Sequence, residues 1–105
     1  MSSPAKIVAD LIKSSAIAMV GGTYCPYCLA MQSTLQSHHY QFAVLWTDKV
    51  DNGDAIKAYI TETTGQRTVP HLWVHGKYVP GGNSEFQKLV KNGTFDKMVK
   101  AGPQA

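Results

Sequence analysis

Two side chains in this sequence can do covalent chemistry with each other. Cys25 and Cys28 are the only cysteines, and they stand three residues apart in Thr23-Tyr24-Cys25-Pro26-Tyr27-Cys28. Two sulfurs at that spacing can close a small ring by forming a disulfide and reopen it by thiol exchange. The attacking species is a thiolate, so one of the two must ionise well below the ordinary thiol value of about 8.5. Pro26 is tolerated in the first turn of a helix, and the residues after it read as a helix to about His39, which places Cys25 at the helix N-terminus. The free N–H groups and the dipole there favour an anion. Cys28 lies one turn further on, in a stripe with Met31 and Leu35, and is the better placed of the two to resolve a mixed disulfide.

Between Lys13 and Asp48 there is no Lys, Arg, Asp or Glu. Activation of Cys25 must therefore come from the helix terminus and from groups brought by folding, and Arg67 is the best candidate. A Cys-x-x-Cys pair can also be half of a zinc site, but a closed site wants four ligands. His38, His39, His71 and His75 do not supply the missing two at a structural spacing, so no metal is expected and the histidines are read as surface or strand-face residues. Tyr24 and Tyr27, flanking a reactive cysteine on a loop, are expected to wall a small-molecule groove, whereas Trp46 and Trp73 are packing residues.

Elements must deliver this pair to a surface. Ser3-Pro4 reads as a helix cap followed by proline at the first helical position, with Ile7, Val8, Leu11 and Ile12 at helical spacing through about Lys13. Ala16 to Val20 is a short apolar run before Gly21-Gly22 and suits a strand buried on both faces, with Cys25 just beyond its carboxyl end. Residues 42–47 form the second strand, parallel to the first through a right-handed crossover. After a loop and cap region at 51–54, Ala55, Ile56, Tyr59 and Ile60 mark a helix ending near Gly65. Thr68-Val69-Pro70 is expected to start a third strand, and His75-Gly76-Lys77 turns it into an antiparallel fourth at Tyr78-Val79. Ser84-Glu85 then opens a helix carrying Phe86, Leu89 and Val90, and Thr94 caps a last one carrying Phe95, Met98 and Val99.

The pattern is α/β: a four-stranded mixed sheet flanked by about five helices, in one domain spanning 1–105. With 105 residues and 44% apolar content, the chain can build one core without staples. A net charge of +3, with no Lys/Arg cluster, argues against a nucleic-acid partner. The N-terminus lacks the unbroken apolar core of a secretory signal and no run approaches a membrane span, so a cytoplasmic setting without membrane association is expected. In a reducing compartment, cysteines this close are catalytic or metal-binding rather than structural.

Three motifs in order, Thr23-Tyr-Cys-Pro-Tyr-Cys28, Gly65-Gln-Arg-Thr-Val-Pro70 and Gly81-Gly82 with Asn83-Ser84, resemble those of the dithiol glutaredoxins, and the resemblance covers nearly the whole chain. It implies a thioredoxin-like fold and a glutathione-dependent thiol–disulfide oxidoreductase acting on protein–glutathione mixed disulfides and protein disulfides. Glutathione would be co-substrate with no bound cofactor, and the protein a monomer. By the resemblance, Cys25 attacks and glutathione or Cys28 resolves, with Thr23, Tyr24 and Pro26 supporting. Pro70 would be cis, and the Val69 backbone, held extended by the proline after it, would pair with the tripeptide. Tyr27 would flank glutathione, Gln66 and Arg67 would lie near its glycine carboxylate, and Thr68 would also belong to the glutathione site. Gly82, Asn83 and Ser84 would meet its γ-glutamyl end, where Ser84 as a helix cap fits carboxylate binding.

One departure stands out. Many family members carry a lysine three residues before the first cysteine, where this chain has Gly22. The expectation is weaker glutathione binding or a less acidic Cys25, offset in part by Arg67. Pro80, ahead of the paired glycines, is a second oddity. The competing readings are a [2Fe–2S] cluster held by Cys25 thiolates of two subunits with two glutathiones, and a thioredoxin reduced by a flavoprotein. Pro26 and a usable second thiol weigh against the first; Tyr27 with Gln66-Arg67 and Asn83-Ser84 weigh against the second.

Overall fold

A computed structural model describes residues 3–102. The first helix, α1 (Pro4–Ser14), begins where Ser3 turns its hydroxyl back to accept from the Lys6 N–H at 3.2 Å. Strand β1 (Ile17–Gly21) follows and is buried along its whole length. Because strand side chains alternate, Ile17 and Met19 enter one core cluster while Ala18 and Val20 enter another. The sheet is therefore covered on both faces. Helix α2 (Pro26–Ser37) covers the first face with Cys28, Met31 and Leu35, joined by Phe86 and Phe95 from α4 (Gly82–Lys91) and α5 (Thr94–Ala101). On the second face, Val8 of α1 meets Ile56 and Ile60 of α3 (Gly53–Thr64). Each such large apolar side chain removed from water contributes roughly 1.5 to 3 kcal/mol.

Strands β2 (Ala43–Trp46), β3 (His71–Val74) and β4 (Lys77–Val79) complete a sheet of order β2-β1-β3-β4. β1 and β2 are parallel, with Gly21 opposite Trp46, and β3 runs antiparallel to both β1 and β4. His75 and Gly76, at φ 50° and 81°, make the two-residue turn between β3 and β4; left-handed residues there match the twist of the strands.

Several boundaries differ from the sequence reading; β1 runs Ile17–Gly21 rather than Ala16 to Val20. β2 is shorter than 42–47, since Thr47 already belongs to a 3₁₀ turn, Thr47–Lys49. β3 starts at His71 rather than Thr68, because Pro70 has no N–H to give to a ladder. Ser84 is not a cap: α4 starts at Gly82, its cap position is Gly81 at φ 98°, and Ser84 sits exposed in the first turn. Thr94 likewise is the first residue of α5. The cap there is Gly93, in the left-handed region, and the Asn92 side chain accepts from the Thr94 N–H at 2.9 Å.

Candidate active site

The turn leaving β1 carries the cysteines to the sheet end where β1 and β2 both terminate. Since Gly21 pairs with Trp46, residues two beyond each strand end emerge side by side, and these are Thr23 and Asp48. The Asp48 carboxylate accepts from the Thr23 N–H at 3.0 Å and from the Thr23 hydroxyl. These two bonds pull the Asp48 pKa below the ordinary carboxyl value and tie down the loop that presents Cys25.

Cys25 occupies the cap position of α2 and is half-buried. No side chain caps this helix, so its first-turn N–H groups are open to an anion. Cys28 is fully buried among the core residues of α2. Burial pushes its thiol up to about 12, with the Cys25 sulfur and the Asp48 carboxylate adding to the effect and a backbone hydrogen bond from Gly22 opposing it. Gly21 makes this seat possible: a Cβ there would lie 2.8 Å from the Cys28 Sγ and 3.3 Å from the Trp46 ring, so any side chain would expel the sulfur or the ring. One sulfur is thus reachable and the other is held as a thiol.

Beside the pair lies a groove of about 850 Å³ lined by Tyr24, Tyr27, Arg67, Thr68, Val69 and Pro70, together with Gly81, Gly82, Asn83, Ser84 and Lys57. Its size is that of a small-molecule site. The tyrosines are 62% and 67% exposed, which makes them walls rather than core. The Val69–Pro70 peptide is cis, and Val69 is half-buried with its neighbours in the groove wall. Gln66 is placed differently from the other residues singled out in the sequence. It stands behind the wall, with its Nε2 donating to the Thr68 and Pro70 carbonyls at 2.9 and 3.2 Å and its Oε1 accepting from the Gly81 N–H at 2.9 Å. Pro26 is exposed in the first turn of α2.

Two residues of the site were missed in the sequence. Asp48 had a signal, because parallel pairing of two strands makes their carboxyl ends neighbours. Lys57 had none: it follows the buried Ile56 on α3, and only the tertiary packing turns it toward the groove. Its ammonium lies beside the Tyr24 phenol and 3.6 Å from the Asp54 carboxylate. Tyr24 first, and then Asp54, hold its pKa above the ordinary lysine value. Gly22 is buried, and a Cβ there would come within 2.3 Å of the Tyr24 ring, so the aromatic ring occupies the space a side chain at 22 would need. Among the described residues no three His, Cys, Asp or Glu side chains converge as a metal site.

A mixed sheet of this order, with a cysteine pair at the amino end of the helix after β1 and a cis-proline ahead of β3, defines the thioredoxin-like class. Within that class the sequence profile of the glutaredoxin family matches residues 13–79, and the chain belongs to this family. It is 35% identical to Glutaredoxin-2 of Schizosaccharomyces pombe over 94% of its own length and 90% of the relative's. Identity to Glutaredoxin-1 of Saccharomyces cerevisiae is also 35%, covering 90% and 89%. The fold superposes on a crystal structure of a buckwheat glutaredoxin–glutathione complex with a TM-score of 0.87 at 26% identity, over 93% of this chain and 88% of that one. Glutaredoxins are glutathione-dependent thiol–disulfide oxidoreductases, and this chain is an enzyme of that kind. Among the described residues no helix is long and apolar enough to cross a membrane.

Proposed function

We propose that the groove holds the glutathionyl half of a protein–glutathione mixed disulfide and that Cys25 is the attacking sulfur. The observation carrying this reading is the asymmetry of the pair beside a groove: Cys25 half-buried at an uncapped helix terminus, Cys28 fully buried and held as a thiol. The Cys25 thiolate attacks the glutathione sulfur, the old S–S bond breaks, and the protein leaves as a thiolate that takes up a proton. A second glutathione then attacks the glutathione sulfur bound to Cys25, releasing glutathione disulfide and restoring the Cys25 thiolate. With protein disulfides as substrate, Cys25 becomes bound to one client sulfur while the other leaves as a thiolate and takes up a proton; Cys28 then gives up its proton and attacks the Cys25 sulfur, forming the Cys25–Cys28 bond as the client's second thiolate leaves.

The tripeptide carries two carboxylates, and the groove offers two kinds of seat. The first turn of α4 begins at Gly82, after Gly81 at the cap position, and no side chain caps it; its N–H groups would receive the γ-glutamyl carboxylate. Lys57 and Arg67 would receive the glycine carboxylate, so the positive charge absent at Gly22 is supplied from α3. The backbone of Thr68 and Val69 would pair with the cysteinyl residue, and Tyr24 and Tyr27 would flank it. The enzyme works as a monomer on glutathionylated or disulfide-containing proteins, in a cytoplasmic setting, without nucleic acid or membrane.

In a Cys28→Ser chain, turnover of a glutathionylated peptide is expected to persist, and glutathione disulfide should leave one glutathione attached to Cys25, visible by mass spectrometry of the intact protein. Attachment elsewhere, or loss of turnover, would refute the assignment. A Lys57→Ala chain should show a KM for the glutathionylated peptide raised about fivefold, equivalent to about 1 kcal/mol, as an exposed ion pair allows. Its kcat should be nearly retained. Because such a pair is screened by salt, the difference from wild type should shrink as ionic strength rises; an equal difference at high salt would remove Lys57 from the carboxylate seat.

A further inference from the structure

Among the described residues, Gln66 is the one side chain whose hydrogen bonds join the two backbone walls of the groove. Its amide spends both N–H donors on the carbonyls of Thr68 and Pro70 and its oxygen on the Gly81 N–H. Reversing the amide would set its oxygen against two carbonyl oxygens, so only this orientation satisfies all three bonds. The residue is anchored in turn, since its own N–H donates to the Thr64 hydroxyl at 3.2 Å. Among the described residues, no other hydrogen bond joins residues 66–70 to residues 80–84. At the point of joining the walls are close: a Cβ on Gly82 would lie 3.9 Å from the Pro70 carbonyl oxygen and 4.0 Å from the Gln66 Nε2. Both N–H donors of the amide are committed to the protein, which leaves it no donor for a ligand carboxylate.

We propose that Gln66 is a positioning residue that fixes the distance between the Thr68–Pro70 wall and the amino end of α4, and thereby makes the site selective for γ-glutamyl-cysteinyl disulfides over disulfides of simpler thiols. The inference rests on the glutathione reading above. A tripeptide that bonds to the extended wall through its cysteinyl backbone and to the helix end through its γ-glutamyl carboxylate spans both walls and feels their spacing. A thiol such as cysteamine, with neither the peptide nor the carboxylate, engages only the reacting sulfur and does not.

The test compares one peptide carrying either glutathione or cysteamine in a mixed disulfide, and reads the ratio of the two kcat/KM values. In Gln66→Leu that ratio should fall about fivefold to tenfold, as loss of hydrogen bonds worth about 1 kcal/mol and more implies. The fall should come chiefly through KM for the glutathionyl peptide, with the Gly81 amide exchanging faster with solvent. Gln66→Glu keeps the acceptor for Gly81 but, when ionised, turns a carboxylate on two carbonyls. Its ratio should be low at neutral pH and recover as the pH is lowered and the carboxyl regains a donor, whereas Gln66→Leu should show no such recovery.

Equal losses on both substrates in Gln66→Leu would mean that the clip supports only the fold, and would overturn the proposal while leaving the glutathione reading intact. An unprotected Gly81 amide in the wild type would overturn it as well. A wild type without preference for the glutathionyl peptide would overturn the glutathione reading and this inference with it.

Discussion

A Cys25→Ser chain is expected to reduce glutathionylated peptide no faster than glutathione does in free solution, although its fold should be unchanged. Serine is close to cysteine in size, and position 25 is half-buried at a helix cap, where serine is a favoured residue. The loss is chemical: a hydroxyl does not ionise in this range and cannot form a disulfide, so the covalent route closes altogether. The intact Cys28 offers no rescue, since its sulfur is inside the core and its pKa is pushed up to about 12. The measurement is steady-state turnover beside a thermal melt of the same preparation. Residual turnover well above the solution rate in a folded Cys25→Ser chain would move the nucleophile elsewhere.

The second large effect expected is on stability in acid, and it comes from His71. This residue starts β3, directly after the groove-lining Pro70, and is 1% exposed. It shares a 2.8 Å hydrogen bond with the Tyr78 hydroxyl and packs beside Trp73. Burial drives its pKa down from 6.5 to about 4. An unfolded chain therefore takes up a proton near pH 6.5 that the folded chain refuses until about pH 4. The stability that a neutral His71 contributes is complete above pH 6.5 and is lost as the pH falls through that interval, up to roughly 3 kcal/mol. Asp48 and Asp96, whose pKa values lie below the ordinary 3.8, act in the same direction at lower pH. Urea unfolding of wild type and His71→Phe at neutral pH and near pH 4.5 separates the effects, since phenylalanine fills a similar volume without titrating. The wild type should lose markedly more stability than the variant between the two pH values; parallel losses would acquit His71.

The alternation of Ile17, Ala18, Met19 and Val20 and the stripe of Cys28, Met31 and Leu35 carry the sheet and its covering helix, because burial follows the period of each element. The reachable and buried roles of the two sulfurs follow from the same stripe. Helix starts were harder to read. Ser84 and Thr94 look like caps, yet Gly81 and Gly93 take left-handed conformations ahead of them and move each start forward. Gln66 is named by the resemblance, but its role, like the presence of Lys57, is beyond the reach of pattern, since what each does depends on which backbone or ring lies across the groove. The absent lysine at Gly22 shows the same limit: one residue reads as a missing charge, whereas the fold places the Tyr24 ring there and a cation nearby on α3.

Cys28 shares its packed layer with Met31, Leu35, Phe86 and Phe95, under a strand that only glycine at 21 lets approach so closely. The enzyme's electron-accepting bond is thereby joined to its hydrophobic core. Packing that holds the Cys28 thiol better than it holds the disulfide sulfur favours the dithiol, and every 1.4 kcal/mol of such a difference moves the reduction potential by about 30 mV. Repacking the layer beneath α2 is therefore expected to shift the reduction potential, although Met31, Leu35, Phe86 and Phe95 do not line the groove.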